Sequence, residues 1–290
     1  MMKRTSTTPT EAVSTATSTR REFVKKVGAA AVGATLLLGQ STLSAGAESS
    51  REGERSHPSG AGINVLLVHG AYVDASSWSK VIPLLQANGY NALAVQIPLA
   101  TFKEDISVTE QALAFLSGPT ILVGHSYAGS VISNVSHNVA NVVGLVYVNA
   151  FAPEEGESIP DITARFPAAP GSKFVMPSYR PGFLWLDPAT FPDNFIQDVS
   201  RTEGRALAVT QKPIAPACFS VPSGFPLWKR VPSWYLVGKH DREINPNAER
   251  FMAKRMGATT REIASSHASP VSHPEEVFDL IVTAAQGVHH

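Results

Sequence analysis

The chain has 290 residues, 43% of them hydrophobic and 17% charged, which supplies apolar material for a sizeable core and excludes a chain that is disordered over most of its length. Its 24 basic and 24 acidic residues cancel, so no charge excess points to nucleic acid or to an anionic membrane surface. The one cysteine, Cys218, excludes an internal disulfide and a cysteine-built metal cluster, and reads as a small buried hydrophobe.

The first 47 residues differ from the rest. Arg20 and Arg21 stand before Phe23 and Lys25, an apolar run follows from Val27 to Leu38, and the segment ends on Ala45-Gly46-Ala47. A charged start, an apolar middle and a small-residue end make an export signal over residues 1–47. The order Arg20-Arg21-Glu22-Phe23 resembles a twin-arginine signal, which a receptor reads. The apolar run is shorter than the ~18–20 residues that span a bilayer, so no stable membrane anchor is expected, and the mature protein is expected in the periplasm or outside the cell. Residues 48–62 are polar and hold Gly, Ser and Pro, the composition of a flexible linker.

The folded domain is expected over residues 63–290. "INVLLV" (63–68) is a continuous apolar run, the pattern of a strand buried on both faces. Residues 77–89 carry a helical apolar face through Trp78, Val81, Ile82, Leu84 and Leu85, and stop at Gly89. A strand over 91–97 closes at Pro98, a helix covers 106–116, a strand 120–124, a helix 128–139 and a strand 142–149. Strands separated by helices of this length need crossover connections, which gives a mostly parallel central sheet flanked by helices. The rhythm breaks over 151–229, where Pro and aromatic residues dominate and only 193–211 looks helical. A stretch of that length is too long for a plain loop and is read as a cap inserted over the carboxyl edge of the sheet. The rhythm resumes with a strand at 233–237, a helix at 247–256, a strand at 259–263 and a last helix from Pro274 to about Ala285.

The strand 120–124 runs into Gly124-His125-Ser126-Tyr127-Ala128-Gly129 and then a helix. A strand, a serine among very small neighbours and a helix make a nucleophile elbow: the turn is so tight that side chains beside it must be small, and the hydroxyl is lifted clear of the sheet. Ala128 stands where the strict G-x-S-x-G pattern has glycine, and it still meets the size requirement. A serine needs a base. Of the nine histidines, His57, His289 and His290 lie in the linker or at the terminus, His137 lies on the helix after the elbow, and His240 lies in "GKHDRE". His69 reads as structural, and His125, adjacent to the serine, should point its side chain away. His267 and His273 fall in the loop after the last strand, at the sheet edge that carries the elbow. His267 is nearer the strand and is the candidate base, while His273, before Pro274, reads as capping the last helix. The orienting carboxylate is Asp241, a few residues after strand 233–237, with Glu243 as its competitor. The order Ser126, Asp241, His267 is nucleophile, acid, histidine. Backbone N–H groups for a developing oxyanion are expected from Tyr127, after the nucleophile, and from Ala71, after His69-Gly70 in the first-strand loop.

These residues resemble the α/β-hydrolase superfamily. "VHGAYVDASSW", "GHSYAG" and "SHASPVSHPEEV" are similar to the branch that holds small esterases, plant methyl-ester esterases and hydroxynitrile lyases. The resemblance spans residues 63 to about 285, is strongest at these three loops and weak across the cap. It implies an α/β-hydrolase fold and a cofactor-free Ser-His-Asp enzyme with a small cap, acting on a small-molecule ester. Three alternatives stay open: a hydroxynitrile lyase, a lactone- or amide-cleaving member of the same fold, and a non-catalytic ligand receptor.

Overall fold

The computed structural model describes residues 60, 62–136 and 141–288, so the expected export signal (1–47) and nearly all of the expected linker (48–62) lie outside the described residues. Strand β1 (Asn64–Val68) is followed by helix α1 (Val81–Ala87), β2 (Asn91–Val95), α2 (Phe102–Phe115), β3 (Thr120–His125), α3 (Ala128–Ser133) and β4 (Val142–Val148). An insertion then carries α4 (Ile159–Thr163), strands β5 (Val175–Pro177) and β6 (Leu184–Leu186), and helices α5 (Phe191–Asn194), α6 (Arg201–Val209) and α7 (Ala217–Ser220). The chain returns through β7 (Ser233–Gly238), α8 (Pro246–Met256), β8 (Thr259–Ile263), α9 (Ser269–Ser272) and α10 (Pro274–Gly287).

Six of these strands form one sheet in the order β2-β1-β3-β4-β7-β8, and every pairing in it is parallel. Each strand of the centre divides its side chains by alternation. Leu66 and Val68 join an apolar cluster with α2, α3, α8 and the insertion, whereas Val65 and Leu67 join a second cluster with α1 and α10. Helices on both faces bury both sets, which is why β1 and β3 read as unbroken apolar runs rather than as alternation. The chain leaves β1 toward β2 on one side and returns to β3 on the other. The carboxyl ends of β1 and β3 thus meet at a point where the strand order reverses, which is where a crevice opens in such sheets.

Several elements differ from the sequence expectation for local reasons. The helix expected over 77–89 is a 3₁₀ turn, Ala75–Trp78, followed by α1. The Asp74 carboxylate accepts the Ser76 N–H at 2.8 Å and caps the first piece. Starting the α-helix at Val81 keeps Pro83 in its first turn, where a missing N–H costs nothing. Helix α2 begins earlier than expected, because Thr101 caps it by accepting the Glu104 N–H at 3.1 Å. The helix expected over 193–211 is two, α5 and α6, since Ser200 accepts the Glu203 N–H at 3.2 Å and starts a new one. Helix α3 closes at Asn134, whose Nδ2–H₂ donates back to the Ser130 carbonyl and to Ser223 Oγ, both at 2.9 Å, while its Oδ1 accepts the Gly224 N–H at 2.7 Å. The insertion also holds the antiparallel β5–β6 pair, too short for its period to show in the sequence.

Candidate active site

Ser126 follows β3 directly and has φ of +57°, the left-handed region that side chains other than glycine avoid at a cost of about 1–3 kcal/mol. Its backbone is held from both sides. The Ser126 N–H bonds the Val148 carbonyl at 3.2 Å, and the Ser126 carbonyl accepts N–H groups of Gly129 at 3.0 Å and Phe151 at 3.1 Å. The small neighbours are required sterically. A Cβ on Gly124 would lie 2.8 Å from the Ala128 carbonyl oxygen, and one on Gly129 would collide with the Phe151 carbonyl. A Cβ on Gly70 would lie 2.7 Å from the Ser126 Cβ, so this glycine lets the loop after β1 close onto the serine.

The structure brings Ser126, His267 and Asp241 together. The serine hydroxyl donates to His267 Nε2 at 2.8 Å, and His267 Nδ1–H donates to Asp241 Oδ2 at 2.6 Å. All three side chains are buried. Asp241 Oδ1 accepts the N–H groups of Glu243 at 2.7 Å and Ile244 at 2.8 Å, and Asn149 Nδ2–H donates to Oδ2 at 3.3 Å. Burial pushes this carboxyl up, but attraction to His267 and these hydrogen bonds outweigh it and hold Asp241 below the usual carboxylate range. Glu249, buried on α8, goes the other way: burial and the Asp241 charge push it well up, while Oε2 accepts the Gly238 N–H at 2.9 Å. The negative charge of the pair therefore sits on Asp241.

Sequence reasoning missed Glu249, Asn149 and Ser269. Ser269 Oγ–H donates to Asn149 Oδ1 at 2.5 Å, which turns the asparagine amide toward Asp241. His125 does not turn away from the site as expected. Its ring centroid lies 5.0 Å from that of His267, and its Nε2–H donates to the His267 carbonyl at 2.9 Å. Burial lowers the His125 ring to about 3, so it stays neutral and serves as a fixed donor to the loop that carries His267. His69 is buried and neutral too, lowered by burial to about 4, with Nδ1–H on the Gly70 carbonyl at 2.9 Å. His273 stands at the start of α10 without a capping bond from its side chain. Its Nδ1 instead meets Ser272 Oγ at 2.9 Å and Asp198 at 3.5 Å.

Ala71 lines the same cavity as Ser126 and His267, and Tyr127 is the residue before α3. Among the described residues, no backbone hydrogen bond uses the N–H of Ala71 or Tyr127. The Tyr127 phenol is fixed away from them by donating to Asp105 Oδ2 at 2.7 Å. Burial pushes Asp105 up to about 6. The cavity in front of Ser126 has a volume of about 240 Å³ and a mostly apolar wall that includes Phe151, Ile159, Val175, Leu184, Phe195 and Phe219. Residues of the insertion thus form much of that wall. A smaller void of about 20 Å³, bordered by His125 and Phe195, includes neither Ser126 nor His267. Among the described residues, no group of three or more His, Cys, Asp or Glu is placed to hold a metal ion.

Glu243 makes no hydrogen bond to His267, but its side chain lines the cavity. Burial first, then the Asp241 charge, pushes its carboxyl up to about 8 from 4.5. The folded protein therefore keeps a proton that the unfolded chain releases between these values, and stability falls as pH rises through that window. Glu243→Gln lacks this titration. Its stability advantage over wild type, measured by denaturant melts, should grow from pH about 4.5 to about 8 with a slope no steeper than about 1.4 kcal/mol per pH unit. A gap that stays constant with pH would mean that the carboxyl titrates alike in both states.

The Alpha/beta hydrolase family model matches residues 65–280. An alpha/beta hydrolase of Aspergillus novofumigatus is 25% identical over 246 residues, covering 76% of this chain and 96% of that one. Methylesterase 8 of Arabidopsis thaliana is 25% identical over 206 residues, covering 64% and 75%. The crystal structure of a pyrethroid hydrolase from Sphingobium faniae superposes with a TM-score of 0.65 at 21% identity, covering 77% of this chain and 98% of that one.

Proposed function

The chain belongs to the alpha/beta hydrolase family, and from that premise we propose that it is a serine carboxylic-ester hydrolase that works through an acyl-enzyme on Ser126. The observation that carries this reading is the continuous relay from Ser126 Oγ through His267 to Asp241, opening on an apolar cavity. Ser126 attacks the ester carbonyl carbon as His267 Nε2 takes its proton. Asp241 stabilises the imidazolium, and the N–H groups of Ala71 and Tyr127 receive the oxyanion. The tetrahedral adduct collapses, His267 returns the proton to the leaving alkoxide, and the alcohol departs. Water then attacks the acyl-serine, giving its proton to His267, and the acid leaves as Ser126 recovers its hydrogen. The apolar wall suits an apolar ester of small to medium size, since burial of hydrocarbon supplies binding there. Two relatives named methylesterase and carbendazim hydrolyzing esterase lend support to an ester as substrate. The test is a screen of p-nitrophenyl esters of graded acyl length with the purified protein. Hydrolysis of short and medium chains is expected, and no hydrolysis of any would remove the reading.

The lyase alternative asks for groups this site lacks. A cyanohydrin-cleaving member of the branch is expected to carry a lysine after the catalytic histidine and a threonine in the first-strand loop. Here these positions are Ala268 and Ala71, and Lys254 is exposed on α8. Mandelonitrile should therefore release no cyanide above the buffer rate. Cyanide release that vanishes in Ser126→Ala would promote the lyase reading over the esterase one.

Export completes the proposal. With Arg20 and Arg21 both changed to Lys, the enzyme should stay in the cytoplasm with its signal attached, as read by fractionation and N-terminal sequencing. Unchanged export would remove the twin-arginine reading and leave the hydrolase reading standing.

A further inference from the structure

Apart from Ser126 and His267, the cavity wall carries three polar side chains, Tyr72, Ser172 and Glu243, and of these Glu243 is the carboxyl. Glu243 follows Asp241 by two positions, and its backbone N–H belongs to the acid loop through the bond to Asp241 Oδ1 at 2.7 Å. Its side chain is independent of that bond and lines the cavity with Ser126 and His267. It also lines a second cavity of about 360 Å³, bounded by Thr163, Phe166, Ala169 and Asn245, and Ser172 is likewise shared by the two. The insertion is pinned at this junction. The Gly171 N–H donates to the Arg242 carbonyl at 2.6 Å, and a Cβ on Gly171 would overlap the Glu243 carboxyl. Glu243 Oε1 is buried and has no hydrogen-bond partner.

A side chain that is only part of a hydrocarbon wall would be expected to be apolar, because a buried polar atom without a partner loses its hydration for nothing. Here a carboxyl is kept on the wall that the two cavities share, with one oxygen buried against Gly171 and unpaired. Asp241 and the Tyr72 phenol interact with it electrostatically, and neither supplies a positive charge; His267 lines the same cavity and is bonded to Asp241. With its carboxyl raised to about 8, the group is protonated at neutral pH and offers one O–H donor and one carbonyl acceptor. Among the described residues that line this cavity there is no Lys or Arg to meet an anionic substrate. A cationic one would need the carboxyl to ionise beside the Asp241 charge.

We infer that Glu243 is a specificity-determining residue, which receives an uncharged oxygen group such as a ketone or ether on an ester chain that extends from Ser126 toward the second cavity. The inference rests on the ester-hydrolase reading. It assigns a substrate class, oxygen-functionalised esters, rather than plain alkyl ones. A site built to hydrogen-bond such a group rejects the analogue without it far more strongly than an apolar pocket rejects a missing methylene.

The test compares p-nitrophenyl esters whose acyl chain carries a ketone, moved stepwise along the chain, with alkanoyl esters of equal length and with a trimethylammonio-acyl ester. In wild type, kcat/KM for the best keto ester should exceed that of its alkyl match by about tenfold or more. Glu243→Leu should bring that ratio within about twofold of one, and Glu243→Gln, which keeps a donor and an acceptor, should retain most of it. Should the Leu variant fail to melt cooperatively, Glu243→Met replaces it. A ratio unchanged in Glu243→Leu or Met overturns the inference. So does a wild type that prefers the alkyl ester, or one that prefers the cationic ester. Failure of wild type to cleave any ester removes the hydrolase reading itself, and this inference with it.

Discussion

Ser126→Ala and His267→Ala should each lower kcat for ester hydrolysis by about 10⁶, and the double variant should be scarcely worse than either single one. In the proposed mechanism the serine and the imidazole are one device: without Oγ there is nothing for His267 to deprotonate, and without Nε2 the hydroxyl at 2.8 Å keeps its proton. Removing the second partner removes nothing further. What remains comes from the backbone N–H groups and from binding in the cavity. The fold is not at stake, because the elbow is held by main-chain bonds to Val148, Gly129 and Phe151 that an alanine keeps. Ser126→Gly sharpens the point. It should be as inactive as the alanine variant yet melt at a higher temperature, since glycine adopts a φ of +57° without strain. Independent, multiplying losses in the double variant would show that the two side chains do not act together, and so would full activity in His267→Ala with loss in His273→Ala.

Asp241→Asn should lower kcat/KM by about 10⁴. The amide still offers an oxygen to the N–H groups of Glu243 and Ile244, so the loop keeps its shape. Its NH₂ then faces His267 Nδ1 and forces that nitrogen to accept. The proton moves to Nε2, the atom that must be free to receive the serine proton. The variant also loses the negative charge that stabilises the imidazolium. Glu243 is not placed to take over, since its carboxyl lies on the cavity wall and makes no bond to His267, and Glu249 is buried on α8 with its carboxyl pushed well up by burial and the Asp241 charge. A near wild-type rate in Asp241→Asn would move the acid role to one of these two glutamates, and the corresponding Gln variant would identify which.

How much of this was legible depended on the range of the interaction. The unbroken apolar runs of β1 and β3 announced a doubly covered parallel sheet, because burial on both faces writes itself into consecutive residues. The small residues around Ser126 announced the turn, because the steric demand there is local. The order of Ser126, Asp241 and His267 followed from where each loop leaves the sheet. The partners of Asp241 were not legible. Asn149 and Glu249 are brought to it by the neighbouring β4 and β7 ends and by α8, and nothing in their own sequence context marks them. His125 was misread for the same reason: its adjacency to the serine suggested divergence, whereas the fold folds the His267 loop over its ring. In the insertion, short helices set by single caps such as Ser200 and a hairpin of three-residue strands carry too little period to read.

The most direct measurement is mass spectrometry of the protein quenched during the burst phase with a p-nitrophenyl ester, followed by peptide mapping. The account predicts a burst of about one p-nitrophenol per enzyme, a mass gain equal to the acyl group, and that group on the peptide containing Ser126. It also predicts that Asp241→Asn accumulates little adduct and Ser126→Ala none. Steady hydrolysis with no adduct, or an acyl group mapped to any residue other than Ser126, would contradict it.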